Sequence, residues 1–232
     1  MIIYFSPQII VLAITAFINL AMSIFVFTRS QKNKVNFYFS GMSIFNFLWA
    51  TALIGFELSN NETTLRLFAS LPYAMAWLVI VSLFYFARYF PYETFGVKKI
   101  YESLVIIFSI LVVCCNTVAY KIFVEEVVVR PMRMAYYNHL IYAMYTIAMI
   151  FVVVFSIFIL FNKYKKADGI FKMQLFLVLL GVCVGTIFGC YFNLFLMFAN
   201  NFDYIYLGPL FTLFINFIVL GFIISPKEKI HD

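Results

Sequence analysis

The chain reads as long apolar runs separated by short polar breaks. Seven runs come close to the ~20 residues with which a helix crosses ~30 Å of hydrocarbon: residues 8–28, 36–56, 68–90, 103–119, 140–161, 171–198 and 205–224. None carries the ~10-residue alternation of an outer-membrane barrel strand. A helix satisfies its own backbone, which lipid cannot do for it. The pattern therefore predicts an all-α membrane protein, a single seven-transmembrane helix bundle over residues 1–232. Residues 120–139, YKIFVEEVVVRPMRMAYYNH, form the one sizeable connection. Its β-branched run Val127–Val129, the break at Arg130-Pro131 and the stretch from Met132 to Tyr137 predict two short strands around a turn, between helices 4 and 5.

Charge gives the bundle an orientation. Twelve of the sixteen Lys and Arg fall on one side: Arg29, Lys32, Lys34, Arg88, Lys98, Lys99, Lys163, Lys165, Lys166, Lys172, Lys227 and Lys229. Arg66, Lys121, Arg130 and Arg133 fall on the other. The positive-inside rule then places the N-terminus outside and the C-terminus in the cytoplasm. The opening MIIYFSPQ lacks the basic start of a cleaved signal peptide, so the first helix is expected to stay.

Composition excludes a water-soluble fold. Hydrophobic residues make up 65% of the chain and charged ones 11%, with mean hydropathy +1.00, against about 25% charged in soluble domains. The net charge of +6 is a matter of topology, and no nucleic-acid partner is expected. The bilayer is the expected partner, and short loops without a disulfide pattern suit multi-pass insertion in a bacterial inner membrane.

Candidate chemistry is sparse. Cys114, Cys115, Cys183 and Cys190 lie inside predicted helices without metal-ligand spacing and read as small packing residues. His139 and His231 form no HExxH motif, so no metal site and no cofactor are expected. A retinal photoreceptor needs a lysine in its seventh helix, and none lies between Lys172 and Lys227. Intramembrane proteolysis needs paired aspartates or a serine with a base at membrane depth, whereas Asp168, Asp203 and Asp232 sit in loops or the tail. Transporters often carry broken helices in two inverted halves. Here Pro72 lies near the outer start of the third helix and Pro209 near that of the seventh, and seven spans do not halve. A transporter or channel acting alone stays the alternative.

Polar residues inside the spans carry more information, since they tend to face the bundle interior. Asn19, Asn46, Trp49, Glu57, Asn116, Gln174, Asn193 and Asn216 are of this kind. Asn46, Trp49 and Leu53 share one helical face by their spacing, and Glu57 continues it. Interhelical hydrogen bonding explains them singly. Jointly, Asn46, Trp49, Glu57, Asn116, Asn193 and Asn216, with tyrosines near the outer helix ends, suggest a ligand-binding pocket that opens outward. Glu102 follows Lys98 and Lys99 by four and three residues, which suggests a local ion pair at the cytoplasmic edge.

The order of features resembles the seven-helix sensory region at the N-terminus of certain bacterial histidine kinases. The similar parts are the basic first loop RSQKNK, a second helix with FSGMSIFNFLWATALIGFE, and a third ending FYFARYFP. A β-like outer loop and a final YLGPLFTLFINFIVLGFII complete the likeness, which spans nearly the whole chain. Where the family's last helix runs from "GPL" toward Tyr-Ala-Ile, this chain has Leu207-Gly208-Pro209-Leu210 and then Gly221-Phe222-Ile223-Ile224. The resemblance implies a receptor module whose seventh helix passes a membrane-borne or extracytoplasmic signal inward. It also implies homodimers. No phospho-acceptor region or ATP lid follows Ser225, so the expectation is a non-enzyme whose output lies in a separate histidine kinase or other cytoplasmic signalling protein. The ligand is left open as a small molecule, lipid or peptide.

Overall fold

The computed structural model describes residues 6–30, 32–93, 99–129, 133–198 and 202–224, with only the backbone of Lys99, Ile223 and Ile224. The basic residues Lys98, Lys227 and Lys229, the turn Arg130-Pro131-Met132, and the tail with His231 lie outside the described residues.

The helices start where short polar side chains can hold free backbone N–H groups. Ser6 precedes α1 (Pro7–Arg29) and accepts from the Ile9 N–H at 3.4 Å, with Pro7 in the first turn. Asn33 opens α2 (Lys34–Leu58), accepting from Val35 at 2.9 Å. Asn61 opens α3 (Glu62–Tyr89), accepting from Thr64 at 2.8 Å. That cap and the acidic Glu62 in the first turn start α3 six residues before the predicted 68. Helix α4 (Lys99–Thr117) and the one-turn α5 (Tyr120–Phe123) lead into a hairpin of β1 (Val124–Val128) and β2 (Met134–Tyr137). Asn138 then caps α6 (His139–Lys166). Helix α7 (Gly169–Cys190) runs on through a π-helical turn (Tyr191–Phe195) into the one-turn α8 (Leu196–Phe198), and α9 (Leu207–Ile224) closes the described chain.

Among the described residues six helices are long and apolar enough to cross a membrane: α1, α2, α3, α4, α6 and the continuous α7–α8 segment. Helix α9 is apolar over a shorter stretch, Leu207–Phe222. Helices α1, α2, α3, α6, α7 and α9 pack in a ring, each on the next and α9 back on α1 and α2. Helix α4 lies outside it, packed mainly on α3, and only 11% of Ile100–Thr117 is buried. It is held by polar contacts at three levels. Ser70 donates to Asn116 Oδ1 at 2.9 Å, Trp77 Nε1 to Ser109 Oγ at 2.9 Å, and Arg88 pairs with Glu102. Glu102 is thus tied across two helices to Arg88, while the expected pairing with Lys98 and Lys99 involves side chains outside the described residues.

The hairpin forms as the β-branched run predicts, though three residues earlier, at Val124 rather than Val127. The strands are antiparallel with a shift between Val124 and Glu126. Val124 and Ala135 face inward and are fully buried. Strand β1 packs on α3, Arg133 Nε donates to the Ser59 carbonyl at 3.1 Å, and the Tyr137 hydroxyl donates to the Ala69 carbonyl at 3.4 Å. Burial pushes the Tyr137 phenol well above its ordinary pKa, so it keeps its proton as that donor.

Lys163 departs most from expectation. It was expected in a loop after a helix ending at 161; α6 instead continues to Lys166 and Lys163 is 3% exposed. The last carbonyls of a helix have no partner in their own helix. Lys163 Nζ meets two of those of α3, at 2.8 Å from Ala87 O and 2.7 Å from Arg88 O, and two just beyond it, at 2.7 Å from Phe90 O and 2.6 Å from Tyr92 O. The extra turn of α6 is what carries Nζ to that point.

Replacing Lys163 by Met should therefore lower stability by about 2–3 kcal/mol, since hydrogen bonds to a charged group are lost and carbonyls are left unpaired. The exposed Lys165 replaced by Met should change it by less than about 0.5 kcal/mol. Equilibrium unfolding in detergent micelles checks both.

Candidate functional site

Inside the ring lies a cavity of about 90 Å³, walled by α2, α3, α6, α7 with its π-helical turn, α8 and α9. Met42 and Trp49 enter from α2, Pro72, Tyr73 and Ala76 from α3, and Tyr145 and Met149 from α6. Gly185, Gly189, Cys190, Asn193 and Met197 close the α7–α8 side, and Thr212, Ile215 and Asn216 of α9 complete the wall. Pro72 proves to sit well inside α3. Lacking an N–H, it cannot make the bond back to the residue four before it. Among the described residues the wall holds no charged side chain.

The small residues of α7 set the wall's shape. Gly181 and Gly185 meet α9 so closely that an added Cβ would stand 2.9 Å from Ile218 Cδ1 and 2.9 Å from Ile215 Cδ1 respectively. This is the small-xxx-small mode by which membrane helices approach. Gly189, one step further, would meet nothing within 4 Å, because it borders the cavity. Asn193 Nδ2 donates to the Gly189 carbonyl at 3.2 Å, and Asn193 packs directly against Gly208, leaving no room for a Cβ there.

Above the cavity sits an aromatic cluster. Tyr73 lies 5.0 Å from Phe123, 5.1 Å from Tyr137 and 5.5 Å from Tyr145 between ring centres. Tyr145 donates to the Tyr73 carbonyl at 3.0 Å. Tyr142 donates to the Leu194 carbonyl at 2.9 Å and lies 3.4 Å from that of Asn193. A π turn widens the helix and disturbs the usual carbonyl pairing, and such turns are frequent at functional sites. Here Tyr142 of α6 takes up the carbonyls, so the hairpin, α3, α6 and the π turn form one packed unit.

The six sequence-expected pocket residues divide. Trp49, Asn193 and Asn216 line the cavity. Asn46 is fully buried beside it and donates to the Pro209 carbonyl of α9 at 3.2 Å. Asn116 lies on the outer helix α4, where it accepts from Ser70 and donates to Val112 at 2.9 Å. Glu57 is half-buried in the last turn of α2, under the influence of Arg133. Asn19 joins the set as the partner of Asn216, whose Nδ2 donates to Asn19 Oδ1 at 2.7 Å. The tyrosines expected near the outer ends of the pocket are represented by Tyr73 and Tyr145 in its wall, whereas sequence reasoning missed Lys163 and the glycine stripe. Only the last had a usable signal, the spacing of Gly181, Gly185 and Gly189. Of the cysteines, Cys190 lines the cavity and Cys114 is exposed. Among the described residues no cluster of His, Cys, Asp and Glu could hold a metal ion.

A ring of apolar helices around a small uncharged cavity, with a strand hairpin over one end, defines a multi-pass helical membrane protein. Residues 11–223 match the N-terminal 7TM region of histidine kinase, and the chain belongs to that family. No curated protein matches it.

Tyr142→Phe should cost about 1 kcal/mol of stability through the lost hydrogen bond. It should also speed amide hydrogen exchange over Asn193–Met197 relative to the rest of α7, read by mass spectrometry.

Proposed function

We propose that the chain is the receiving module of a histidine-kinase-type membrane sensor. A small molecule, reaching the bundle from outside or from the bilayer, occupies the cavity and favours one packing of α9. Helix α9 then passes the change to a cytoplasmic signalling partner such as a histidine kinase. The observation that carries this reading is that Thr212, Ile215 and Asn216, all on α9, are part of the cavity wall. An occupant therefore touches the output helix itself. A ligand shifts a conformational equilibrium only if it binds the two arrangements unequally, and the closely packed α7–α9 seam gives it two arrangements to tell apart.

In this reading Trp49, Asn193 and Asn216 contact the ligand. Asn46 ties α2 to the start of α9, while Asn116 and Glu57 serve helix packing at the periphery. The chain crosses a bacterial inner membrane seven times, with the basic end in the cytoplasm and the hairpin outside. Lys34 and Arg88 both lie 3.9 Å from Glu93, and Lys163 lies close by, so basic residues from three helices meet at one end, which supports that orientation. A homodimer suits the family.

The test uses photo-crosslinking residues at positions 165 and 166 in native membranes. A histidine-kinase core or another cytoplasmic signalling enzyme should be captured. Gly189→Leu, which fills the cavity without a backbone clash, should change its yield several-fold. Recovery of the chain alone, or a yield indifferent to Gly189→Leu, would overturn the relay.

A further inference from the structure

We propose that the cavity selects a small neutral apolar molecule bearing one hydroxyl or N–H donor, and that Asn216 Oδ1 receives that donor. The inference rests on reading the cavity as the signal site.

A chain of hydrogen bonds fixes its polarity. A backbone carbonyl can only accept, and the Thr15 carbonyl takes a bond from Asn19 Nδ2 at 2.8 Å. That turns Asn19 Oδ1 toward Asn216, so Asn216 must present Nδ2 to it, at 2.7 Å. Asn216 Oδ1 is left as an acceptor with no donor among the described residues, on a fully buried side chain of the cavity wall. The same logic holds one helix away. Asn46 Nδ2 is turned to the Pro209 carbonyl at 3.2 Å, which leaves Asn46 Oδ1 buried and unpartnered. Asn46 stands on the face of α2 between the lining residues Met42 and Trp49.

Most donors around the cavity are turned to backbone: Thr212 donates to Pro209, Tyr145 to Tyr73 and Asn193 to Gly189. The Tyr73 hydroxyl, also in the wall, is buried without a partner among the described residues. The site thus offers the Asn216 acceptor beside one free hydroxyl, and a ligand hydroxyl can donate to the first while accepting from the second. An unpaired polar group at membrane depth is costly, so a ligand that supplies the missing donor gains more here than it would in water.

Size and charge narrow the class. The wall has no charged side chain to balance an ion, and burying an unpaired charge is prohibitive. The volume of about 90 Å³ lies below the ~150 Å³ of an apolar cavity that takes benzene. Short alcohols fit this description.

The experiment compares 1-butanol with its isomer methyl propyl ether, which has the same atoms but no donor. Binding to the full chain in nanodiscs is followed by saturation-transfer NMR, with Gly189→Leu as the filled-cavity control. The alcohol should bind about tenfold more tightly than the ether, as one net hydrogen bond allows. Asn216→Leu should bring the ratio near one, and Gly189→Leu should remove both signals. Equal binding of the two isomers to the unmodified chain would overturn the donor preference while leaving the cavity as a binding site. Signals that Gly189→Leu does not reduce would show that neither molecule occupies the cavity, and would overturn the site itself.

Discussion

In hydrocarbon a polar group has no water to turn to, so the protein must supply each partner from within. That constraint organises this molecule. It is met most fully at the end of α3, where Lys163 reaches across from α6 to four carbonyls. The dipole of α3 also places partial negative charge there, which favours a cationic neighbour. Two helices far apart in sequence are thus fixed at the basic end, and at the opposite end the hairpin that leads into α6 fastens to α3 through Tyr137. With α3 and α6 held at both ends, the middle of the ring is free to stay loosely filled.

The middle is where the constraint is met only in part. Asn19, Asn46 and Asn216 join α1, α2 and α9 through single amide bonds, which are worth modest amounts in a membrane. The α7–α9 seam adds close glycine contacts but leaves Gly189 open. The pinned pair α3 and α6 therefore faces a last helix, α9, that single amide bonds tie to α1 and α2. Such a division suits a module in which one helix is to be re-positioned against a fixed frame.

Much of this was legible in the sequence. Hydrophobic run length gave the helices to within a few residues, because the same ~20-residue requirement governs both. The β-branched run at 127–129 marked the hairpin, since Val prefers extended backbone. Asn46, Trp49 and Asn216 stood out because polar groups are rare in such runs. Lys163 did not, for it sits among Lys165 and Lys166 and looks like one more interfacial charge. Nothing local in the sequence says that α6 outlasts its apolar run by a turn, nor that α3 ends beneath it. The tie from Glu102 to Arg88 was hidden for the same reason, since that partner arrives through packing. Asn193 and Asn116 have equal claims in one dimension, and only the ring with α4 outside it separates them.

The position of α4 has a further consequence. A helix that buries so little and is fastened by side-chain hydrogen bonds owes its attachment to the dryness of its surroundings, where such bonds face little competition. A bilayer provides that dryness and a hydrated micelle provides less. The fourth helix is thus the strut whose hold depends on the solvent outside the protein, and it should be the first to swing away when lipid is exchanged for detergent.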